Sequence, residues 1–583
     1  MAATPAADSR LLVIYASETG NAMDAAERVG RQAERGGCPA VDVLPMDSFD
    51  PSCLPSERFV VFVVSTTGQV AFGRGRGFGG TFLRRIWVLG GLEGVRYAVF
   101  GLGDSGYQKY NFAAKKLDKR LLHLGAEPII QVGLGDDQHP SGYEGALDPW
   151  LLSLWESLNQ TTPSLLPRMY DIINPDLSVL GDAKVEVIYH SSDKAQQDSN
   201  LLDFKNLIQR ARSMSPSLQF YNNDKEPHYM LQMVSNRCLT KENSDRDVRH
   251  FELENPSSGI TYQVGDALEI LPSQSPSAVD SFIERCKLDP DCYITVMSFF
   301  ATAEHEKEKL QYFASPEGRD DLYQYNQKEG RTILEVLDDF PSVQMPFEWL
   351  VQLTPPLKKR AFSISSSPLA KPNQIHLTVS IVSWRTPFKR MRRGLCSSWL
   401  AGLNPNEENL IPCWVHHGSL PPPHPSTPLI LIGPGTGCAP FCAFVAERAA
   451  QSTSEATAPI LFFFGCRNQE NDFLYKDFWY AHAHDQGVLS SKNGGGFFVA
   501  FSRDQPQKVY VQHRIREQSA RVWNLLKSGA AIYIAGSSTK MPADVTAALE
   551  EVICQETGCS EEEASIWLRK LERNGKFHTE TWS

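Results

Sequence analysis

Residues 14–30 read IYASETGNAMDAAERVG. An apolar run passes into a short loop, Ser17-Glu18-Thr19-Gly20-Asn21-Ala22, and the loop passes into an amphipathic segment. This is a strand, a tight turn and a helix. Ser17, Thr19 and Asn21 are able to donate hydrogen bonds to a phosphate, Gly20 lets the backbone come close, and the helix N-terminus adds free N–H groups and a positive dipole end. The loop has no lysine, so it is not a Walker-type nucleotide loop. Capping of the helix by a hydroxyl explains the same residues equally well.

The unit repeats outward from this stretch. RLLVIYAS (10–17), RFVVFVVS (58–65), RYAVFGLG (96–103) and IIQVGLG (129–135) are continuous apolar runs, joined by helical segments such as NFAAKKLDKRLLHLG (111–125). Such runs, unlike alternating ones, are buried on both faces and predict a parallel, doubly wound sheet over residues 8–160, with ligands at the carboxyl ends of its strands. Those ends carry Ser65-Thr66-Thr67-Gly68, then Leu102-Gly103-Asp104-Ser105-Gly106-Tyr107-Gln108-Lys109-Tyr110-Asn111, and Asp137. Hydroxyls, amides and an aromatic that is able to stack on a planar ring outline a flavin mononucleotide (FMN) site.

Residues 161–228 are polar and proline-punctuated and read as a linker. Residues 229–425 change texture to short alternating strands, hence a small barrel, interrupted by a charged helical segment at about 275–340. Within it, RAFS (360–363) puts Arg360 and Phe362 on one strand face and Ala361 and Ser363 on the other. This suits a pyrophosphate and a flavin ring. RRGLCSSWL (392–400) opens a helix at Gly394-Leu395-Cys396-Ser397 whose N–H groups suit the same pyrophosphate. Residues 426–583 form a second α/β block. There LIGPGTGCAPF (431–441) follows a strand and places Thr436 in a glycine turn, although it departs from the G-x-G-x-x-G fingerprint. FSRDQPQKVYVQ (501–512) gathers Ser502, Arg503, Lys508, Val509, Tyr510, Val511 and Gln512. Two cations beside hydroxyls suit an adenosine 2′-phosphate and favour NADPH over NADH.

The chain has 583 residues, 42% of them hydrophobic and 21% charged, with a net charge of −11. That is globular composition for several domains and argues against nucleic acid or an anionic membrane as partner. No signal peptide and no membrane span are expected. The twelve cysteines show no C-x-x-C, so they read as free thiols and no metal site is expected.

Taken in order, these motifs resemble the diflavin reductases, a family built from a flavodoxin and a ferredoxin–NADP reductase. The expected fold is therefore an N-terminal flavodoxin-like sheet, an FAD barrel with a helical insert and a C-terminal NADP-binding α/β domain. GLGDSGYQKYNFAAKKL, RAFSISSS, RRGLCSSWL, QKVYVQHR, MPADV and the ending TETWS are similar to the soluble, cytosolic reductase type of iron–sulfur cluster assembly. The resemblance implies a cytoplasmic, monomeric NADPH-dependent oxidoreductase holding FAD and FMN. An anamorsin-type iron–sulfur protein would take its electrons singly. It further implies that Asp544 joins the NADPH residues and that Trp582 stacks on the FAD ring. Ser363 and Glu580 become candidates for polarising the hydride-transfer site. Ala535, Glu580 and Cys442 stand where other family members carry cysteine, aspartate and arginine.

Two stretches depart from the family. After Gln69 the expected acidic helix gives way to VAFGRGRGFGGTFLRRIWVLG (70–90), in which five of residues 71–80 are glycine and helix is disfavoured. This tract is expected to be poorly ordered. Around Thr295–Met297 the helical connecting segment is shortened. Both abrupt borders read as a transcript or gene-model variant. The alternatives are thus a catalytically impaired isoform without stable FMN or acting only as a binding partner, or another soluble diflavin enzyme of the methionine synthase reductase type.

Overall fold

The computed structural model describes residues 10–17, 21–46, 49–67, 70–71, 91–105, 110–139, 141–173, 228–242, 244–256, 259–273, 301–315, 317–346, 348–349, 357, 359–454, 456–537 and 540–582. Glu18, Thr19, Gly20, Gly68, Gly106, Tyr107, Gln108 and Lys109 lie outside the described residues. So do the 72–90 part of the glycine–arginine tract, the Thr295–Met297 junction and most of the linker.

The apolar runs become strands β1 (Arg10–Ala16), β2 (Ala40–Pro45), β3 (Phe59–Thr67), β4 (Val70–Ala71), β5 (Arg96–Gly103), β6 (Glu127–Pro128) and β7 (Gly133–Asp136). They pair in the order β2-β1-β3-β5-β6, with β7 also on β5, and all these pairs are parallel. The short β4 pairs antiparallel with β3. Leu11, Leu12, Val13 and Ile14 are fully buried because each sheet face is covered by a helix. Helix Asn21–Arg35 lays Ala22, Ala25, Ala26, Val29 and Ala33 on one face. Helix Phe112–His123 lays Ala113, Ala114, Leu117 and Leu121 on the other. Each fully buried Val, Leu or Phe contributes about 1.5–3 kcal/mol relative to exposure. The chain leaves β1 toward β2 on one side and returns to β3 on the other. The topological switch, where this fold class opens its ligand crevice, therefore lies between β1 and β3.

Residues 162–173, taken from sequence as the start of the linker, behave otherwise. Leu165, Leu166, Met169 and Ile172 are buried against the same core, and Arg168 N–H donates to Gly36 O at 2.8 Å. The prolines that hid any period in this stretch also shape its turns.

The second module is an antiparallel sheet of β8 (Tyr229–Cys238), β9 (Val248–Glu254), β10 (Ala267–Ile270), β11 (Arg360–Ser363), β12 (Gln374–Ser380) and β15 (Leu410–His416). Its order is β11-β10-β15-β8-β9-β12, and an Ile364–Leu377 bridge brings the two ends together into a barrel. A hairpin of β13 (Ser383–Arg385) and β14 (Met391–Arg393) projects from it. The helices at 304–339 have a small core of their own, Leu310, Phe313, Val336, Leu337 and Phe340. They touch the first module where Ser141 Oγ donates to Asp320 Oδ1 at 2.5 Å.

The third module is a parallel sheet of β16 (Leu429–Ile432), β17 (Ile460–Cys466), β18 (Gly496–Phe501), β19 (Ala531–Ser537) and β20 (Phe577–Trp582), in the order β18-β17-β16-β19-β20. The chain runs from β16 to β17 and β18 on one side and returns to β19 on the other, so the switch point lies between β16 and β19, and the GPGTG turn follows the end of β16. The architecture is the multidomain α/β-plus-barrel arrangement expected from sequence. No described helix is long and apolar enough to cross a membrane.

Candidate functional site

At the first switch point Ser17 Oγ accepts from Ala22 N–H at 3.2 Å, so the hydroxyl caps the helix. Asn21 opens that helix. Ser65, buried, donates from Oγ to Ala16 O at 3.1 Å and ties the two strand ends together. Thr66 Oγ1 accepts from Ala113 N–H, and Thr67 ends β3. Leu102 and Gly103 end β5. Asn111, fully buried with φ 50°, donates from Nδ2 to Gly135 O at 2.8 Å. Its Oδ1 is buried with no hydrogen-bond partner. Tyr110 Oη donates to Leu134 O. Ser105 N–H donates to Asp136 Oδ1, and Gln138 Nε2 to Asp104 Oδ1, so the two loops are laced together. Burial, then the charges of Asp104 and Asp136, push the Asp137 carboxyl up. The strand-end hydroxyls and the N-terminus of helix Asn21–Arg35 fit a flavin phosphate, whereas the orphaned buried amide oxygen and the carboxylates, all acceptors, suit the N–H edge of the ring.

In the barrel, β11 pairs with β10 so that Ser363 faces Ala267, Phe362 faces Leu268, Ala361 faces Glu269 and Arg360 faces Ile270. Phe362 packs against the barrel core and Arg360 is exposed. Helix Leu395–Gly402 begins at Gly394 with no side-chain cap, which leaves its first N–H groups for an anion. Ser397 Oγ instead accepts from Val382 N–H at 3.1 Å and steadies the entry turn. Burial pushes the Cys396 thiol up to about 12, so it is an inert packing group. These residues fit the pyrophosphate of a dinucleotide.

In the third module Gly435 takes φ +58°, and a Cβ on Gly437 would lie 2.1 Å from Ala535 O. Both glycines are therefore required, one by conformation and one by close approach to β19. The helix Ala439–Gln451 that follows Thr436 has no side-chain cap. Cys442 lies in the buried core of that module, and burial pushes its thiol well up. Ser502 is buried at the end of β18, and Arg503 lies 3.5 Å from Asp245. Lys508 and Val509 lead to Tyr510, which is exposed and opens helix Val511–Glu517. Gln512 Nε2 donates to Asp544 Oδ2 at 3.2 Å. The structure adds two cations that sequence reading left out. Arg467 pairs with the same Asp245, and burial and then Arg467 lower the basicity of Arg246. Arg246, Arg467 and Arg503 thus converge from the barrel and from the ends of β17 and β18. No local motif links them, because they lie far apart in the chain.

The barrel and the third module also meet at a carboxylate. Glu580 on β20 accepts from Ser363 Oγ at 2.6 Å and from Ser419 Oγ at 2.9 Å. β20 runs parallel to β19 with Glu580 beside Ala535 and Trp582 beside Ser537. Trp582 is half-buried against the core of the third module. Ser419 was missed from sequence: HHGSLPPP carries no recognisable pattern, and its partner lies 161 residues away.

Comparisons with known proteins follow the same division. The flavodoxin family model matches residues 13–150. The FAD binding domain model matches 221–299 and 293–399, and the oxidoreductase NAD-binding domain model matches 431–547. The FAD model is thus matched in two pieces that meet at 293–299, beside the Thr295–Met297 junction. The chain is 58% identical to the NADPH-dependent diflavin oxidoreductase 1 of Arabidopsis thaliana over 624 residues, covering 98% of this chain and 99% of that protein. It is 37% identical to the proteins of the same name in Danio rerio (98% and 99% covered) and Bos taurus (99% and 100% covered). The alignment of 624 residues exceeds the chain's 583, so the Arabidopsis relative carries at least 41 residues where this chain has none. Three modules in this order, and such identity across nearly the whole length, place the chain in the NADPH-dependent diflavin oxidoreductase family.

Proposed function

We propose that this diflavin oxidoreductase works in the cytosol and delivers electrons from NADPH, one at a time, to an iron–sulfur protein of the anamorsin type in cluster assembly. When bound, the cofactors would supply the redox chemistry, a single two-electron hydride transfer at FAD and one-electron release at FMN. The chain's own part is to bind, orient and hold protons. Ser363 Oγ keeps its proton directed at Glu580 Oε1, and Ser419 Oγ does the same at Oε2. A carboxylate that accepts two hydroxyl hydrogen bonds is held in one rotamer, and charge-assisted bonds of this kind are short and strong. Glu580 thereby locks the last strand to the strand end of the barrel that bears the R-A-F-S motif. The cationic trio Arg246, Arg467 and Arg503 orients the phosphorylated end of the nucleotide.

The observation that carries the nucleotide-to-flavin half of this reading is the Ser363–Glu580–Ser419 junction, which joins the barrel strand end to the nucleotide module's last strand; the acceptor rests on the likeness of the motifs to the cluster-assembly reductase type. The acceptor is tested by anaerobic mixing of the NADPH-reduced protein with an anamorsin-type iron–sulfur protein, a cobalamin enzyme and a sirohaem enzyme. Fast bleaching of the iron–sulfur protein alone is expected. Preference for the cobalamin enzyme would replace this reading with a methionine synthase reductase-like one.

A second reading rests on the two-piece match at 293–299 and on the glycine-rich replacement after Gln69. In it the chain is an isoform that loads FAD and NADPH but holds FMN weakly. Sequencing transcripts across Gln69–Leu92 and Thr295–Met297 tests its origin: continuous genomic sequence at both junctions in every near relative would overturn it.

A further inference from the structure

We propose that His250, Glu252 and His376 form a binding site for one divalent cation of the zinc class, on the barrel face against which Tyr475 of the nucleotide module packs. His250 and Glu252 are two apart on β9, so they share a face. The antiparallel register of β12 sets His376 directly opposite Glu252, and Thr378 opposite His250. Two residues spaced i, i+2 on one strand, and a third across the ladder, are what a sheet needs to aim three donors at one point. One ligand atom from each of the three lies within 4.8 Å of the others. His250 Nε2 and Glu252 Oε1 are 3.2 Å apart. That is near the edge of a tetrahedron with bonds of about 2.0–2.1 Å, roughly 3.3 Å. The ligand atom of His376 lies within 4.8 Å of the other two, and a side-chain shift of that ring completes the trio. Two imidazoles and one carboxylate, with a fourth position open to water, are a donor set that zinc accepts.

The surrounding hydrogen bonds favour the same use. His250 Nδ1 lies 2.9 Å from Tyr475 Oη, which lies 2.6 Å from Thr378 Oγ1. With the Nδ1 proton donated to Tyr475, and the tyrosine proton donated on to Thr378, every partner is satisfied. Nε2 then keeps its lone pair facing Glu252. Without a metal the other tautomer satisfies the same partners, Nε2–H donating to Glu252 Oε1 and Nδ1 accepting from Tyr475 Oη; zinc selects the first tautomer. Outer partners of this kind fix ring orientation in metal sites. Gln374 Oε1, 2.9 Å from His376 Nε2, holds the second ring, and Gln374 in turn donates to Glu254. Arg237 and Lys371 bring opposing positive charge. The site is therefore of moderate affinity, unlike a four-thiolate structural site.

The test uses the flavin-loaded full chain, stripped with EDTA, titrated with zinc and desalted before elemental analysis. His376→Asn and Glu252→Gln are polar-for-polar changes at half-buried positions outside the flavin and nucleotide loops, and FAD content reports their folding. Zinc held by cysteines is common to all three proteins and cancels in the difference. The wild type is expected to retain one more equivalent of zinc per chain than either variant. Zinc is also expected to raise the thermal midpoint of the wild type alone, because a ligand that binds only the native state stabilises it. Equal zinc in all three proteins, or an equal thermal shift, would overturn the proposal. The result does not depend on which acceptor the enzyme serves.

Discussion

Glu580 holds two hydroxyls at once, and the two are not equivalent. Ser363 belongs to the strand end that carries the R-A-F-S motif, whereas Ser419 lies in the connection that leads into the third module. Ser363→Ala is expected to slow NADPH-driven bleaching of the flavin about tenfold, the lower end of what a lost hydrogen bond to a charged group costs. FAD content should not change. Ser419→Ala should slow the same stopped-flow phase by only a few-fold, because Ser363 still orients the carboxylate. An equal rate in Ser363→Ala and wild type would remove Ser363 from the reaction.

Glu269, in the barrel, makes a prediction about pH. Burial works to raise its carboxyl, but His416 at 3.0 Å and Lys359 at 3.1 Å outweigh it and hold the group down to about 2. The native value lies below the unfolded one, so the ionised form stabilises the fold. That contribution is complete above about 4.5 and is lost as pH falls from there to about 2. Glu269→Gln is expected to cost about 2 kcal/mol at pH 7 and to flatten the acid side of the stability curve, measured by urea unfolding at each pH. A variant whose curve parallels the wild type between those pH values would contradict the assignment.

Among elements, the GPGTG turn shows how the two glycines flanking Thr436 have different reasons. Gly435 has positive φ and open space around a Cβ, whereas a Cβ on Gly437 would meet the Ala535 carbonyl at 2.1 Å. Gly435→Ala should therefore cost about 1–2 kcal/mol of backbone strain. Gly437→Ala should cost about 3 kcal/mol or more, since two backbones must part. Urea unfolding of the two variants checks the order, and the reverse order would refute the packing argument. The turn itself was legible from sequence, because glycines between an apolar run and a helical period have few other uses. Which glycine bears which constraint was not, since the clash comes from β19, a hundred residues on. The same limit hid Arg246, Arg467, Ser419 and the His250–His376 pair, all brought together by strand register or module contact. The polar 162–173 stretch misled for a different reason. Its buried Leu165, Leu166, Met169 and Ile172 keep a near-helical spacing, but Pro163 and Pro167 break the run into turns and mask it.

For the whole molecule, the parallel sheets were legible because each strand is buried on both faces and reads as an unbroken apolar run. The barrel was legible because its strands alternate. The order of the modules then does more than any single motif, since it identifies the family, and the proposed route runs from nucleotide to barrel to N-terminal sheet. The measurement that tests this route most directly is flavin content of the purified full chain together with NADPH-driven reduction of ferricyanide and of cytochrome c. FAD and FMN at one equivalent each, with both acceptors reduced, is the predicted result. FAD without FMN, with ferricyanide reduced and cytochrome c untouched, would contradict it.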